Sequence, residues 1–281
     1  MEYLLNILDE INLIPIIQGY KTDFENIQDI QKIEYILQTQ IISIDKLTVD
    51  NWIIISQYSK LSEDFITKWQ DMVDWEQISK YQELSEEFIA KFQDSVDWIR
   101  ISFRQKLSEE FIIKFQKRVN WNGISFYSKL SEEFIIKYQN RVDWNGISFC
   151  SKLSEEFITK FQDRVDWGRI SQFQLLSEEL IEKFQDRVDW WEISGAQTLS
   201  EDFITKFQDN VYWERICVDQ ILSEEFIELH QDNVFWNNIS CYQNLSEKFI
   251  IKFQDRVDWD EIFCGQTISK EFIELYEYRL N

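Results

Sequence analysis

The sequence contains very few of the residues that build catalytic sites, metal sites and irregular loops. Its 281 residues include one histidine, one proline, six glycines and four cysteines. The scarcity of glycine and proline predicts few or very uniform turns and excludes long disordered linkers. The cysteines form no C-x-x-C pair and have no partner histidines, so neither a zinc site nor a disulfide framework is expected.

The sequence also lacks a basic surface. Its formal net charge of −22 opposes binding to phosphate backbones and to anionic lipids, because both need clustered lysine and arginine. No signal-peptide pattern begins the chain, and no apolar run approaches the ~20 residues of a transmembrane helix. We therefore expect a soluble intracellular monomer with neither a nucleic-acid nor a membrane partner. The negative charge is expected to keep the protein soluble and monomeric, and attraction of a basic partner is the alternative role.

The sequence repeats with a period of 23 residues. A tryptophan and a Leu-Ser pair both recur at this spacing without an insertion. Counted from the leucine, the unit reads L-S-E-E-F-I-x-K-F-Q-D-R-V-D-W-x-x-I-S-x-Y-Q-x, and its residues are numbered here as repeat positions 1 to 23. The tryptophans, at position 15, are Trp52, Trp75, Trp98, Trp121, Trp144, Trp167, Trp190, Trp213, Trp236 and Trp259.

Each unit contains two helix starts, because serine at position 2 and aspartate at position 14 are both favourable N-caps. In one copy, Phe134 and Ile135 begin an apolar helical face, and Glu133 lies four residues before Lys137, where the two can pair. Two such short helices cannot hide their own apolar residues, so these residues must be buried against neighbouring copies. The sequence predicts an all-α solenoid of about ten αα-hairpins. A leucine-rich repeat has a similar period, but its L-x-x-L-x-L alternation is absent.

The two ends depart from the repeat. Residues 47–267 are predicted to form the solenoid. Residues 1–46 contain two apolar-periodic stretches and are predicted to be N-terminal capping helices, with a small adaptor domain as the alternative. Residues 268–281 stop after one helix and carry no tryptophan, which predicts a C-terminal capping helix.

The phrases W-x-x-I-S and L-S-E-E-F-I-x-K-F-Q, as in Trp144 to Ser148 and Leu153 to Gln162, resemble those of short-repeat proteins of mimivirus-like giant DNA viruses that infect amoebae. The resemblance covers about residues 47–276. It implies an AT-rich viral genome and expression in the host cytoplasm, with the virion as a further location. It implies no activity and carries no catalytic residues.

Nothing in the sequence predicts chemistry. His230 occupies position 9, where other copies have an aromatic residue, so a role in filling the core is favoured over catalysis. The carboxylates recur with the repeat, which is typical of helix caps and first-turn acids. We therefore predict a protein that is not an enzyme and has no cofactor and no metal site. The recurring tryptophans are predicted to form a stacked core ladder, which is favoured over a ligand-binding or cation–π role.

Glutamine at position 10 recurs almost as strictly as the tryptophan. Its place at the flank of the buried helical face predicts a ladder of side-chain hydrogen bonds to the backbone of the tight turns, with Gln162 buried against one of them. A row of solvent-facing glutamines is the alternative.

Positions 16, 17 and 20 vary most between copies and are predicted to face outward from the second helix. Three consecutive copies have phenylalanine at position 20. Their rings would form an exposed aromatic stripe, with Gly123 and Gly146 leaving room beside them. Burial of the rings by a loop or a superhelical bend is the alternative. The predicted partner-binding residues are Phe103, Phe126, Phe149, Arg100, Arg104, Tyr127 and Trp191.

These features predict a protein-binding scaffold or adaptor whose partner is a protein of unknown identity. Two other functions remain open at this point. One is a self-associating virion or assembly component, although capped ends oppose unlimited stacking. The other is an acidic mimic of nucleic acid, which the interleaved cations at positions 8 and 12 disfavour.

Overall fold

The computed structural model describes residues 48–58 and 60–279, and all of their regular elements are helices. The chain divides into two compact units, Met1–Gly146 and Ile147–Asn281. The predicted N-terminal capping helices, residues 1–46, lie outside the described residues.

The helices alternate along the chain between two kinds. The odd-numbered helices are α1 Val49–Tyr58, α3 Trp75–Tyr81, α5 Trp98–Arg104, α7 Trp121–Tyr127, α9 Trp144–Cys150, α11 Trp167–Phe173, α13 Trp190–Ala196, α15 Trp213–Asp219, α17 Trp236–Tyr242 and α19 Trp259–Gly265. The even-numbered helices are α2 Glu63–Lys68, α4 Glu86–Lys91, α6 Glu109–Lys114, α8 Glu132–Lys137, α10 Glu155–Lys160, α12 Glu178–Lys183, α14 Glu201–Lys206, α16 Glu224–Leu229, α18 Glu247–Lys252 and α20 Lys270–Tyr276, which a 3₁₀ turn, Glu277–Arg279, follows.

Both predicted caps are present. The even-numbered helices follow the Leu-Ser pair, and the serine hydroxyl accepts a hydrogen bond from the N–H of position 5, as Ser177 does from Leu180 at 3.2 Å. The odd-numbered helices from α3 onward begin at the tryptophan, and in most of them the preceding side chain is the cap, as Asp74 is by accepting from the N–H of Gln77 at 2.9 Å. In these hairpins the caps mark where both helices begin.

Consecutive odd-numbered helices pack side by side, α1 to α7 in the first unit and α11 to α19 in the second. The isoleucines at positions 6 and 18 form the centre of each hairpin, and Ile89, Ile101, Ile181 and Ile193 are all 0% exposed. This arrangement confirms the predicted all-α repeat solenoid, in which each copy buries its apolar residues against its neighbours.

The tryptophans lie at the edge of this core. Trp98 is half-buried, and its ring centroid is 5.0 Å from that of Phe115 and 6.2 Å from that of Phe111 in the next copy. Its indole N–H donates to the carbonyl oxygen of Gln93 at 2.8 Å. The stacked ladder is therefore present, but most of its rings join neighbouring copies at the surface instead of filling the interior.

The glutamine ladder lies at position 22, so its prediction at position 10 is wrong. Gln197 is 5% exposed, accepts from the N–H of Leu176 at 3.1 Å, and donates to the carbonyls of Ser171 and Gln174, both at 2.8 Å. Position 22 follows the odd-numbered helix and enters the turn to the next leucine, where backbone groups need partners.

Gln162, at position 10, is only half-buried. Its carbonyl oxygen accepts from the indole N–H of Trp167 at 2.9 Å and from Nη1 of Arg187 at 2.8 Å. Its backbone, not its side-chain amide, therefore joins the repeats. In two copies the position-22 ladder is interrupted by Ser128 and Ser151, whose buried hydroxyls have no hydrogen-bond partner among the described residues.

Two further recurring residues connect neighbouring copies. The hydroxyl of Ser171, which is fully buried at position 19, donates to the carbonyl of Trp167 at 2.7 Å and accepts from the N–H of Asp189 at 3.0 Å. Glu178, at position 3, accepts from the N–H of Ser200 in the next copy at 2.6 Å. These recurring polar residues thus form hydrogen bonds with backbone groups of the neighbouring copy.

Candidate partner-binding surface

Positions 17 and 20 pack against each other across neighbouring copies. A Cβ atom added to Gly123 would lie 2.7 Å from Cδ2 of Phe103, and one added to Gly146 would lie 2.7 Å from Cδ2 of Phe126. In these two pairs the glycine is at position 17 and the large residue at position 20. In the second unit the glycine is at position 20 instead, and a Cβ atom added to Gly195 would lie 2.0 Å from Nη2 of Arg215 at position 17. In these three pairs a large residue faces a glycine, so variation at the two positions follows the packing between copies.

The three phenylalanines of the predicted stripe differ in exposure. Phe103 and Phe126, in the first unit, are half-buried because each ring covers the glycine of the next copy. Phe149, in the second unit, is 38% exposed. Phe149 is therefore the most exposed of the three, and its ring contacts that of Phe173.

Three further residues predicted from the sequence to bind the partner lie at or near the surface of the first unit. Tyr127 is 54% exposed, and its ring centroid is 5.5 Å from that of Phe103. Arg100 pairs with Glu76 at 3.1 Å, and the two side chains are about half exposed. Arg104 is exposed.

Trp191, in the second unit, is 41% exposed. Its ring meets that of Tyr212 edge to face, with centroids 5.3 Å apart, and the guanidinium of Arg215 lies 5.4 Å from its centroid. Trp191 is thus an exposed aromatic residue whose orientation is set by two neighbours.

An apolar cleft in the second unit contains one predicted residue and several that sequence reasoning missed. The rings of Phe149 and Phe173 meet edge to face with centroids 4.7 Å apart, and Leu175 beside them is 87% exposed. The cleft has a volume of about 470 Å³, and Lys152 and Glu155 also line it. The sequence signal was available, since leucine stands at position 23, where the three preceding copies have lysine.

The ionisable residues inside the second unit have structural surroundings. His230 is 7% exposed, its ring centroid lies 5.0 Å from that of Trp213, and its Nε2 is 3.0 Å from Oγ1 of Thr205. Burial lowers the pKa of His230 below its ordinary value, which favours the neutral imidazole. Cys217 replaces the buried serine of position 19, and burial raises the pKa of its thiol to about 11. Both residues thus substitute for repeat core residues.

Across residues 48–58 and 60–279, no group of three or more His, Cys, Asp or Glu side chains has an arrangement suited to a metal ion. The helices of the same residues include none that is long and apolar enough to cross a bilayer. The surface geometry offers apolar contact bordered by single charges, which suits binding to another protein.

Comparison of the chain with protein-family models, with curated proteins and with solved structures finds no match.

Proposed function

We propose that this protein is a binding scaffold without catalytic activity, and that the cleft formed by Phe149, Phe173 and Leu175 receives an apolar side chain of a protein partner. The supporting observation is the exposure of these three large apolar residues next to one another on the second unit. Apolar residues grouped in this way at a surface are typical of protein interaction sites.

The frame around the cleft supports the same function. Gln174, between Phe173 and Leu175, is 6% exposed and bonds to the carbonyls of Ser148 and Ser151 at 3.0 and 2.8 Å. The cleft is therefore held by buried hydrogen bonds before any partner arrives, which reduces the entropy lost on binding. Lys152 and Glu155 supply a polar rim, and the guanidinium of Arg169 lies 5.2 Å from the centroid of Phe149.

The test compares two substitutions at the same repeat position. Leu175→Glu adds a charge within the cleft, whereas Ile221→Glu adds the same charge at position 23 of a later copy, where Ile221 is 96% exposed. After affinity capture from the source cells, titration with the captured protein should show at least about 10-fold weaker binding for Leu175→Glu and unchanged binding for Ile221→Glu.

Both variants should melt at the wild-type temperature, because both side chains lie in solvent. Equal affinity of the two variants would contradict the assignment of the cleft. Light scattering of the wild type tests the self-associating alternative. A mass that rises with concentration and falls in Leu175→Glu would identify the partner as a second copy of this chain.

A further inference from the structure

Arginine at position 12 binds the preceding copy in a recurring way. Arg118 donates from Nη1 to the carbonyl of Gln93 at 2.8 Å and from Nη2 to the carboxylate of Asp94 at 2.6 Å. The same carbonyl also accepts the indole N–H of Trp98. The guanidinium thus bonds to the carbonyl at position 10 and the carboxylate at position 11 of the preceding copy. The indole at position 15 of that copy shares the same carbonyl.

Other copies show the same arrangement. Arg256 donates to the carbonyl of Gln231 at 2.7 Å and to the carboxylate of Asp232 at 3.0 Å, and its guanidinium lies 5.8 Å from the ring centroid of Trp236. Arg141 lies over its tryptophan as well, 4.5 Å from the centroid of Trp121. The further arginines with parts of this pattern are Arg187 and Arg279.

Two consecutive copies of the second unit keep this site but lack its arginine, because Asn210 and Asn233 occupy position 12. We call them the two open guanidinium sites. They consist of Gln185, Asp186 and Trp190, and of Gln208, Asp209 and Trp213.

Neither open site is filled by another of the described residues. The hydrogen bonds from the indoles of Trp190 and Trp213 to their carbonyls are exposed, whereas the equivalent bond of Trp98, beside Arg118, is partly buried. Asp186 and Asp209 have no ion-pair partner within the described part of the chain. Each carbonyl accepts one indole N–H and keeps a lone pair for a second donor.

We propose that the two open guanidinium sites bind two arginine side chains of one partner segment. Every group that holds the chain's own arginines is present there, and the net charge of −22 attracts a basic segment. Arginine fits better than lysine, because its planar fork bonds to a carbonyl and a carboxylate together and lies flat on an aromatic ring. The proposal uses none of the residues of the apolar cleft.

The spacing of the sites selects the conformation of the segment. Helices that pack side by side are ~8–10 Å apart, and the two sites are one copy apart. A polyproline II segment places residues i and i+3 on the same side about 9 Å apart. The expected partner sequence is therefore Arg-x-x-Arg in an extended conformation.

The experiment is a calorimetric titration of the full chain, at low salt, with the acetylated and amidated peptide Pro-Arg-Pro-Pro-Arg-Pro. The wild type should bind one peptide. The double substitution Asn210→Arg and Asn233→Arg places the chain's own guanidinium groups in both sites, so binding should weaken by at least about 10-fold. Its melting temperature should equal or exceed that of the wild type.

A matched control carries Thr198→Arg and Asn244→Arg, which add the same charge at exposed position 23 on the opposite turn of the hairpin. This control should bind the peptide nearly as well as the wild type. A second variant, Asp186→Asn with Asp209→Asn, removes the carboxylates and should weaken binding even if the arginine variant fails to fold.

Three results would overturn the proposal: no detectable binding to the wild type, equal losses in the arginine variant and its matched control, or equal binding of the peptide with lysine in place of arginine. The last two would show attraction to general negative charge. Leu175→Glu should leave peptide binding unchanged, which separates this test from that of the cleft.

Discussion

Single residues of the repeat recur because each satisfies a backbone group in its own copy or the next. Gln197 bonds three such groups, and Ser171 bonds two. A buried backbone group without a partner destabilises the fold, so we expect removal of either side chain to lower stability. At position 10 the backbone carbonyl joins the repeats, and the amide oxygen does so as well only in some copies, as in Gln116, which accepts from Nη1 of Arg141 at 3.1 Å.

Substitution of Gln197 by leucine tests this distinction. Gln197→Leu leaves one N–H and two carbonyls without their partner and should lower the free energy of unfolding by ~1–3 kcal/mol in urea titrations. Gln162→Leu, its control at position 10, keeps its carbonyl and should change that free energy by less than about 0.5 kcal/mol. Equal losses in both variants would contradict the assignment of the ladder to position 22.

The helices are too short to be stable by themselves. The even-numbered helices from α2 to α18 contain six residues and the odd-numbered ones from α3 onward contain seven, well below the ~12–15 residues at which isolated helices become marginally stable. Their stability must come from caps and from packing against neighbours. Two caps are missing, since Tyr212 and Phe235 at position 14 make no capping side-chain bond.

Restoring one of these caps should stabilise its helix. Phe235 has backbone angles of −91° and 103°, close to the −84° and 109° of the capping residue Asp258, so an aspartate can cap there without strain. Phe235→Asp should raise the free energy of unfolding by ~0.5–2 kcal/mol. Phe235→Ala removes the half-exposed ring without adding a cap, and the gain should be absent from that variant.

The whole molecule is held together by contacts between successive copies. Within each unit the odd-numbered helices contact their neighbours in sequence, so stability is expected to be a sum of copy terms and nearest-neighbour terms. A core defect should then act mainly on adjoining copies.

Ile216→Ala tests this nearest-neighbour stability. Ile216 is 0% exposed, and its truncation should cost ~2–5 kcal/mol. Native-state hydrogen exchange should lose protection mainly in α13 to α17 and progressively less in more distant helices of the second unit. Leu229→Ala, at a side chain that is 70% exposed, should leave the exchange pattern unchanged. A uniform loss of exchange protection along the second unit would instead indicate that the unit unfolds as one cooperative unit.

The period, both helix starts of each hairpin and the all-α class can be predicted from the sequence alone. These properties are local or periodic: Ser131 and Asp74 cap helices within three residues of themselves, and the apolar period shows which faces must be buried. The resemblance to viral repeat proteins and the capping role of residues 1–46 remain predictions.

The packing of neighbouring copies is needed to show which glutamine is buried, that Phe103 covers Gly123, and that Arg118 pairs with Asp94. These partners lie about one repeat apart in sequence, and the geometry of neighbouring hairpins brings them together. The helical periodicity of a single helix predicts that position 17 faces outward. In the solenoid, however, position 17 of one copy packs against position 20 of the preceding copy. The proposed binding cleft depends on the same cause, since whether Leu175 stays exposed depends on how neighbouring copies pack.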